Sequence, residues 1–381
     1  MTVPNGEVRC RFCGSVDGAV VADLGMQPAC DYFPLADAAE PDPVYPLRLW
    51  VCTACRLAQL AEDPTEPDEP RGVEPVALVR QAEQAVAAVH AAGLLPDGGV
   101  ALEHSSPHGG SWLGLLEARG IRAAAGGQAD VVVDSFGLMH DADQAAALRL
   151  RAAELKPDGL LLVQFHSLAA VLRGKQWNTI RHGHPVYLST PAVAGMLASV
   201  GLRAVAAWWF DLYGGTVLLA ARRQGPVSPS VQHLIDDELA AGVGDLDVLR
   251  GLAASAAESA LVLRSWLASE RAQGRTVIGY GAASRAVPLL NHAGIGPDLL
   301  PAVADASEAK QGRRFPGAGV PIIAPDELVA LAPDDVVLFV PDMLAEVRAR
   351  LPEVERRGGR WVLLEPSPRV IEPDPRTMTN G

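Results

Sequence analysis

The chain has no hydrophobic run long enough to span a membrane. Its longest apolar stretches, such as residues 160–163, are strand-length. The first ten residues, MTVPNGEVRC, carry no charged-then-apolar pattern, so no signal peptide is expected. Positive charge is scarce, with 32 Lys and Arg against 45 Asp and Glu and a net charge of −13. That balance argues against nucleic acid or an anionic membrane as partner, while leaving room for a local basic pocket. No internal repeat and no long low-complexity tract stands out. The expectation is a soluble, cytoplasmic protein acting on a small molecule; the sequence leaves its oligomeric state open. At 381 residues and 49% hydrophobic content, two or three domains are expected, with ample apolar residues for their cores.

Cysteine is also scarce, but four of the five form two CxxC pairs, Cys10/Cys13 in CRFCG and Cys52/Cys55 in CTACR. Two thiolate pairs on tight turns make a tetrahedral soft-ligand set suited to structural Zn²⁺. The alternative, a disulfide or redox pair, lacks a secretion signal to support it. A four-cysteine site is closed, so it should fold its segment and not do chemistry. Cys30 is left over and reads as a small buried hydrophobe, with a catalytic thiol as the alternative.

Residues 1–61 read as a zinc-binding module with short strands near 47–51 and 57–60. The Pro- and acid-rich residues 62–74 read as a linker. Residues 75–223 then alternate helices (75–93, 111–119, 144–155, 191–200) with strands (100–103, 130–134, 159–165, 203–208, 213–221). Such alternation predicts a parallel α/β sheet with an antiparallel strand allowed at its end. Residues 231–274 form a helical connection. A second α/β unit over 275–381 has strands at 276–279, 302–305, 336–340 and 361–364. The expected fold class is therefore α/β, with an N-terminal zinc-binding module and two Rossmann-like units.

The densest chemistry lies in residues 176–189, QWNTIRHGHPVYLS. His182 and His184 stand two apart, with Arg181 and Tyr187 beside them. In an extended segment both histidines would point to the same side. Six of the nine histidines (His104, His108, His140, His166, His182 and His184) fall at or beyond expected strand carboxyl ends, so on this topology they converge on one face. Neutral imidazole serves as general base, general acid or metal ligand near pH 7. Trp177, Trp208, Trp209 and Tyr213 accompany them in a chain only 5% aromatic, as core filling or as a surface for a flat substrate. GYGAAS at 279–284 reads alone as a dinucleotide loop lacking its third Gly, with Asp305 ending the next strand. Arg313 and Arg314 suit an anionic group or a solvated turn.

These segments resemble, in order, the sugar C-methyltransferases of antibiotic biosynthesis. QWNTIRHGHPVYLS is similar to that family's QFDTIYHEHFSYFS, and DVVVDSFGLMH at 130–140 to DLVVANNVLAH. YGGT at 213–216 is similar to HGGS, and FHSL at 165–168 stands where the family has PHL. GYGAASRAVPLLNHAGI is similar to GYGAAAKGNTLLNYAGI, and KQGRRFPGAGVPI to KQGRYLPGTHIPI. The resemblance implies the zinc module, a methyltransferase core and a C-terminal Rossmann-like domain that helps hold a nucleotide-sugar. It places substrate contacts at Trp177, Tyr213, Tyr280, Ser284 and Arg285. It also implies catalysis by a His after the fourth strand and by Tyr, Glu and His of the signature. His140 and His184 match; the Tyr is Arg181 here and the Glu is Gly183.

The cofactor side departs further. EHSSPHGG at 103–110 keeps Glu103 and Gly109 of EIGSNDG, but Ser105 replaces a Gly and His108 the Asp. Residues 121–128, IRAAAGGQ, offer no acid for the ribose and are too short for a strand, helix and strand, so the core is expected to be truncated. The family's LLLAWN is VLFVPD at 337–342. These losses argue against S-adenosylmethionine as cofactor. The expected function is a methyltransferase-like enzyme of natural-product biosynthesis. His140, His166, His182 and His184, with Arg181 and Tyr187, would carry acid/base chemistry for condensation, addition or isomerisation. An active C- or O-methyltransferase, a non-catalytic scaffold and a second metal at the histidines are the alternatives.

Overall fold

The structure, a computed structural model, describes residues 7–65, 74–104, 109–364 and 367–372. Its first sheet is an antiparallel meander of β1 (Gly18–Pro28), β2 (Val44–Cys52) and β3 (Ala58–Leu60). The latter two match the sequence expectation, whereas β1 was not expected. Its pairing with β2 is interrupted between Val20 and Ala22 and between Asp23 and Met26. Such bulges break the strict alternation that marks a strand in sequence.

The second unit opens with α1 (Val76–Ala91), which buries Leu78, Ala82, Ala85, Val86 and Val89 at helical spacing. There follow β4 (Gly99–His104), α2 (Leu113–Glu117), β5 (Ile121–Ala123), β6 (Ala129–Ser135), α3 (Gln144–Ala153) and β7 (Leu155–His166). After them come α4 (Leu168–Arg173), β8 (Val186–Tyr187), α5 (Thr190–Ser199), β9 (Arg203–Phe210) and β10 (Thr216–Arg222). Six of these strands form one sheet in the order β5-β4-β6-β7-β10-β9. β5, β4, β6 and β7 run parallel, and β10 is antiparallel to both β7 and β9. The strand order reverses at β4, so the crevice beyond β4 and β6 is the topological switch point where such sheets bind ligands.

The expected truncation takes a definite form. A second strand does exist, as the three-residue β5. The chain then turns through residues 124–128 directly into β6, with no helix or further strand between them.

Helices α6 (Pro229–Ala240) and α7 (Leu246–Ala272) lead to the third sheet. Its elements are β11 (Val277–Tyr280), α8 (Ala286–His292), β12 (Val303–Ala304), β13 (Ile322–Ile323), α9 (Pro325–Leu331), β14 (Asp335–Leu338), α10 (Leu344–Arg350), α11 (Glu353–Arg356), β15 (Arg360–Leu364) and β16 (Pro368–Ile371). The order is β13-β12-β11-β14-β15-β16, parallel except at the β16 edge.

Two features tie the units together. β8 leaves the second unit and pairs with β3, Ala58 opposite Tyr187, so the signature segment closes the first sheet. α7 starts on an Asp245 cap and buries Leu249, Leu252, Ala256, Leu263 and Leu267. These residues share one apolar core with Val21, Leu47 and Leu49 of the first sheet, Trp177 and Tyr187 of the signature, and Val287 of α8. Among the described residues no helix is long and apolar enough to cross a membrane.

Candidate functional site

The four cysteines meet at one end of the first sheet. Cys10 Sγ lies 3.4 Å from Cys55 Sγ, Cys13 Sγ lies 3.6 Å from Cys52 Sγ, and all four sulfurs fall within 4.8 Å of one another. Zn–S bonds of 2.3 Å in a tetrahedron put sulfurs about 3.8 Å apart, so the donor set fits zinc. Each knuckle turns through a left-handed residue, Gly14 in one and Arg56 in the other. Backbone bonds from Gly14 N to Cys10 O and from Arg56 N to Cys52 O close them. Crowding shows in the thiols themselves: the hydrogen bond from Cys55 pulls Cys10 down to about 5. Cys30 is fully buried, and that burial pushes its thiol up to about 12, as expected of a buried hydrophobe.

The signature segment is a turn at residues 181–184 and not the expected extended run, because Gly183 sits at φ +81°. The turn sends its two histidines apart. His182 is fully buried, donates from Nε2 to Pro46 O (3.2 Å), and stands edge-on to Tyr45. His184 is half-buried, its ring 4.5 Å from that of His140 and nearly perpendicular to it. His140 in turn donates from Nδ1 to Gly183 O (3.0 Å). Tyr187 straps the turn from beneath: its hydroxyl accepts from Arg181 N (2.9 Å), and burial raises its pKa well above the ordinary phenol. Tyr187 is therefore a neutral brace at working pH.

Arg181 joins the turn to the first sheet. Its Nη1 donates to Asp31 Oδ1 (2.8 Å) and its Nη2 to His184 Nε2 (2.7 Å). Arginine only donates, so His184 Nε2 must accept, and the proton of the neutral ring sits on Nδ1. Asp63 Oδ2 holds Gly183 N (2.8 Å), and Glu62 pairs with Arg48 of β2, so the start of the expected linker is structural. Its residues 66–73 lie outside the described ones. Nothing in the sequence marked Asp31 for this role. Its signal is geometric: a Cβ at Gly183 would collide with Asp31 Oδ2.

Convergence of six histidines thus reduces to the contact of His140 with His184. His104 pairs with Glu154 (2.5 Å), His182 faces the first sheet, and His108 lies outside the described residues. His166 sits in the seam between the second and third sheets. Burial, with Arg285 next, lowers its pKa to about 4, so it is neutral at working pH.

The expected substrate residues divide. Tyr280 is a core residue of the third sheet, 2% exposed, and Ser284 is buried. Trp177 donates to Ser259 of α7 (2.5 Å). Tyr213 sits at φ +56°, and its backbone N donates to Asp342 (3.1 Å). Arg285 bonds Phe339 O (3.1 Å) and, with Trp177, Gln176 and Asn178, lines a cavity of about 30 Å³. That holds about one water. Asp305, at the end of the strand after the glycine loop, accepts from Ala282 N of that loop (2.6 Å). Arg314 pairs with Asp42, and Arg313 donates to Phe33 O (2.6 Å), both across to the first sheet and not toward an anion site.

At the switch point, the Glu103 carboxylate accepts from Trp112 N and Ser111 Oγ, both at 2.6 Å. Gly109 follows at φ +91°. Asp134 at the end of β6 is buried against Arg151 (2.6 Å).

Elemental analysis of purified protein should return one zinc per chain, and Cys52→Ala should lose both the metal and the first sheet's circular-dichroism signal. His166 binds protons less readily folded, at about 4, than unfolded, at about 6.5. Its contribution should therefore fade as pH falls through that window. Urea unfolding of His166→Gln should show a shallower loss of stability between pH 6.5 and 4 than the parent.

Comparison with known proteins supports the same frame. Residues 10–69 match a family model described as a zinc binding domain, and residues 211–366 one described as a C-methyltransferase C-terminal domain. Over 223 residues the chain is 29% identical to the C-methyltransferase NovU of Streptomyces niveus, covering 58% of this chain and 53% of that protein. The match thus spans about half the length of the curated relative. Among solved structures, a SAM-dependent methyltransferase from Thermotoga maritima overlaps 38% of this chain and 89% of its own, at 14% identity and a TM-score of 0.30. The 1,6-didemethyltoxoflavin-N1-methyltransferase of Burkholderia thailandensis overlaps 40% of this chain and 80% of its own, at 16% identity and a TM-score of 0.28. The four-thiol centre lies within the segment that matches the zinc binding domain, ahead of the segment that matches the C-methyltransferase C-terminal domain, and over these two segments the chain is similar to zinc-containing C-methyltransferases.

Proposed function

We propose that this enzyme works on a small molecule of a natural-product pathway by histidine acid/base chemistry, without S-adenosylmethionine. The observation that carries this reading is the edge at β5. The strand ends at Ala123, and residues 124–128 return to β6 with no Asp or Glu among them. In doubly wound folds an acidic residue beyond that strand holds the ribose hydroxyls. The Glu103 carboxylate is meanwhile engaged by Ser111 and Trp112. The missing acid beyond β5 supports this reading, and no step is routed through the cofactor.

The His140–His184 pair supplies the chemistry. With Nδ1 of His140 donating to Gly183 O, the lone pair of the neutral ring is at Nε2, the atom of a general base. With Nε2 of His184 accepting from Arg181, its Nδ1–H is the acid. A carbonyl compound bound alongside the touching rings, within reach of both, loses the proton on its α-carbon to His140. Its carbonyl oxygen takes the proton of His184 Nδ1, and the C–H electron pair becomes the enol C=C. Reprotonation at another carbon gives isomerisation, and attack on an electrophile gives condensation. Positioned acid/base groups of this kind contribute about 10²–10⁴-fold.

A second reading is favoured by the same pair. His140 and His184 stand where the resemblance places catalytic histidines, which suits C-methyl transfer to a nucleotide-sugar. Calorimetric titration separates the two. The first reading expects no heat from S-adenosylmethionine at millimolar concentration, and micromolar binding would overturn it. In either case, His140→Ala and His184→Ala should each lower turnover about 10²-fold or more. His182→Gln should lower stability and leave turnover nearly unchanged.

A further inference from the structure

The geometry points to Asp31 of the zinc-braced sheet as a positioning residue for the histidine pair: through Arg181 it fixes the ring tautomer of His184. It takes over space that a side chain at position 183 would otherwise fill.

Three contacts carry this. Asp31 Oδ1 accepts from Arg181 Nη1 at 2.8 Å, and both side chains are nearly buried, with 12% and 6% exposure. Arg181 Nη2 donates to His184 Nε2 at 2.7 Å, so the guanidinium bridges carboxylate and imidazole. The other Asp31 oxygen, Oδ2, lies where a Cβ at Gly183 would be, which makes Asp31 and a side chain at 183 mutually exclusive. A charged guanidinium placed between a carboxylate and a ring nitrogen leaves that nitrogen one protonation state, the unprotonated acceptor. Asp31 lies three residues beyond β1, whose first residue Gly18 pairs with the zinc ligand Cys52. The zinc module thereby reaches the chemistry as a fixed support, without its metal touching substrate. Preorganised supporting contacts of this type hold reacting groups in register.

The inference rests on the reading that His140 and His184 carry the reaction, but its test does not read the reaction. Zinc-loaded full-length protein labelled with ¹⁵N in its histidine rings reports the His184 tautomer directly by NMR at pH 7.5. The parent should show His184 protonated at Nδ1 only. Arg181→Met and Asp31→Asn should each change the tautomer ratio about tenfold or more, the effect of weakening one charge-assisted hydrogen bond. An unchanged His184 tautomer in either folded variant would overturn the inference. Should Arg181→Met not fold, Asp31→Asn, which keeps the size and shape of the side chain, decides alone. A loss of turnover in Asp31→Asn without the tautomer change would likewise contradict the positioning role. The tautomer change in a protein that proves to be a methyltransferase would uphold it while the proposed reaction fails.

Discussion

A guanidinium buried as deeply as that of Arg181 must be paired, and the group that pairs it, Asp31, lies 150 residues earlier in the chain. Removing one member of a buried pair leaves a charge stranded at a cost of about 3–5 kcal/mol. That constraint fixes where the first sheet must stand relative to the turn at 181–184. The other contacts agree with it: β8 completes the first sheet beside β3, His182 reaches Pro46 O, and Asp63 holds Gly183 N. Three contacts, from Asp31, Pro46 and Asp63, thus converge on one four-residue turn, and the β8–β3 pairing anchors the strand just after it. The half-buried pair, His140 and His184, sits on the outer side of that turn.

This arrangement gives the four-thiol centre a structural purpose. A closed four-thiolate centre makes no bond to substrate. It closes the Cys52 end of the β1–β2 pair, and the residues leaving the far end of β1 lead to Asp31. Sheet, turn and helix α7 then share a single core, so the module is not an appendage. The seam between the second and third sheets is of a different character. It holds a cavity of about 30 Å³ among Arg285, Gln176 and Trp177, with the neutral His166 near it.

Much of the fold was legible in the sequence because its signals are local. Two CxxC pairs identify a four-thiol site by spacing alone, and the strands at 130–134, 159–165 and 361–364 are largely apolar runs bounded by breakers. What stayed hidden depends on distant pairing. β1 was missed because bulges interrupt its alternation, and the pairing of β8 with β3 joins residues more than a hundred positions apart. At the site, His184 and His140 were readable from their places after strands. The divergence of His182 was not, since it comes from the positive φ of Gly183. Tyr280 looked like a ligand contact because it follows a glycine-loop strand, yet it points into the core. Asp31 was invisible for the plainest reason: an Asp after a bulged strand carries no sequence mark until the turn that it pairs with is in place.

The Asp31–Arg181 pair holds the turn at 181–184 against the first sheet's connecting loop, and a double-mutant cycle on stability reads that coupling. Asp31→Asn, Arg181→Met and the double variant would be compared by equilibrium urea unfolding of the zinc-loaded protein. Residues in direct contact couple by about 0.5–3 kcal/mol, and a buried ion pair belongs at the upper end of that range. A coupling of about 2–3 kcal/mol is expected, with the double variant less destabilised than the sum of the single ones. Simple additivity within about 0.5 kcal/mol would contradict it.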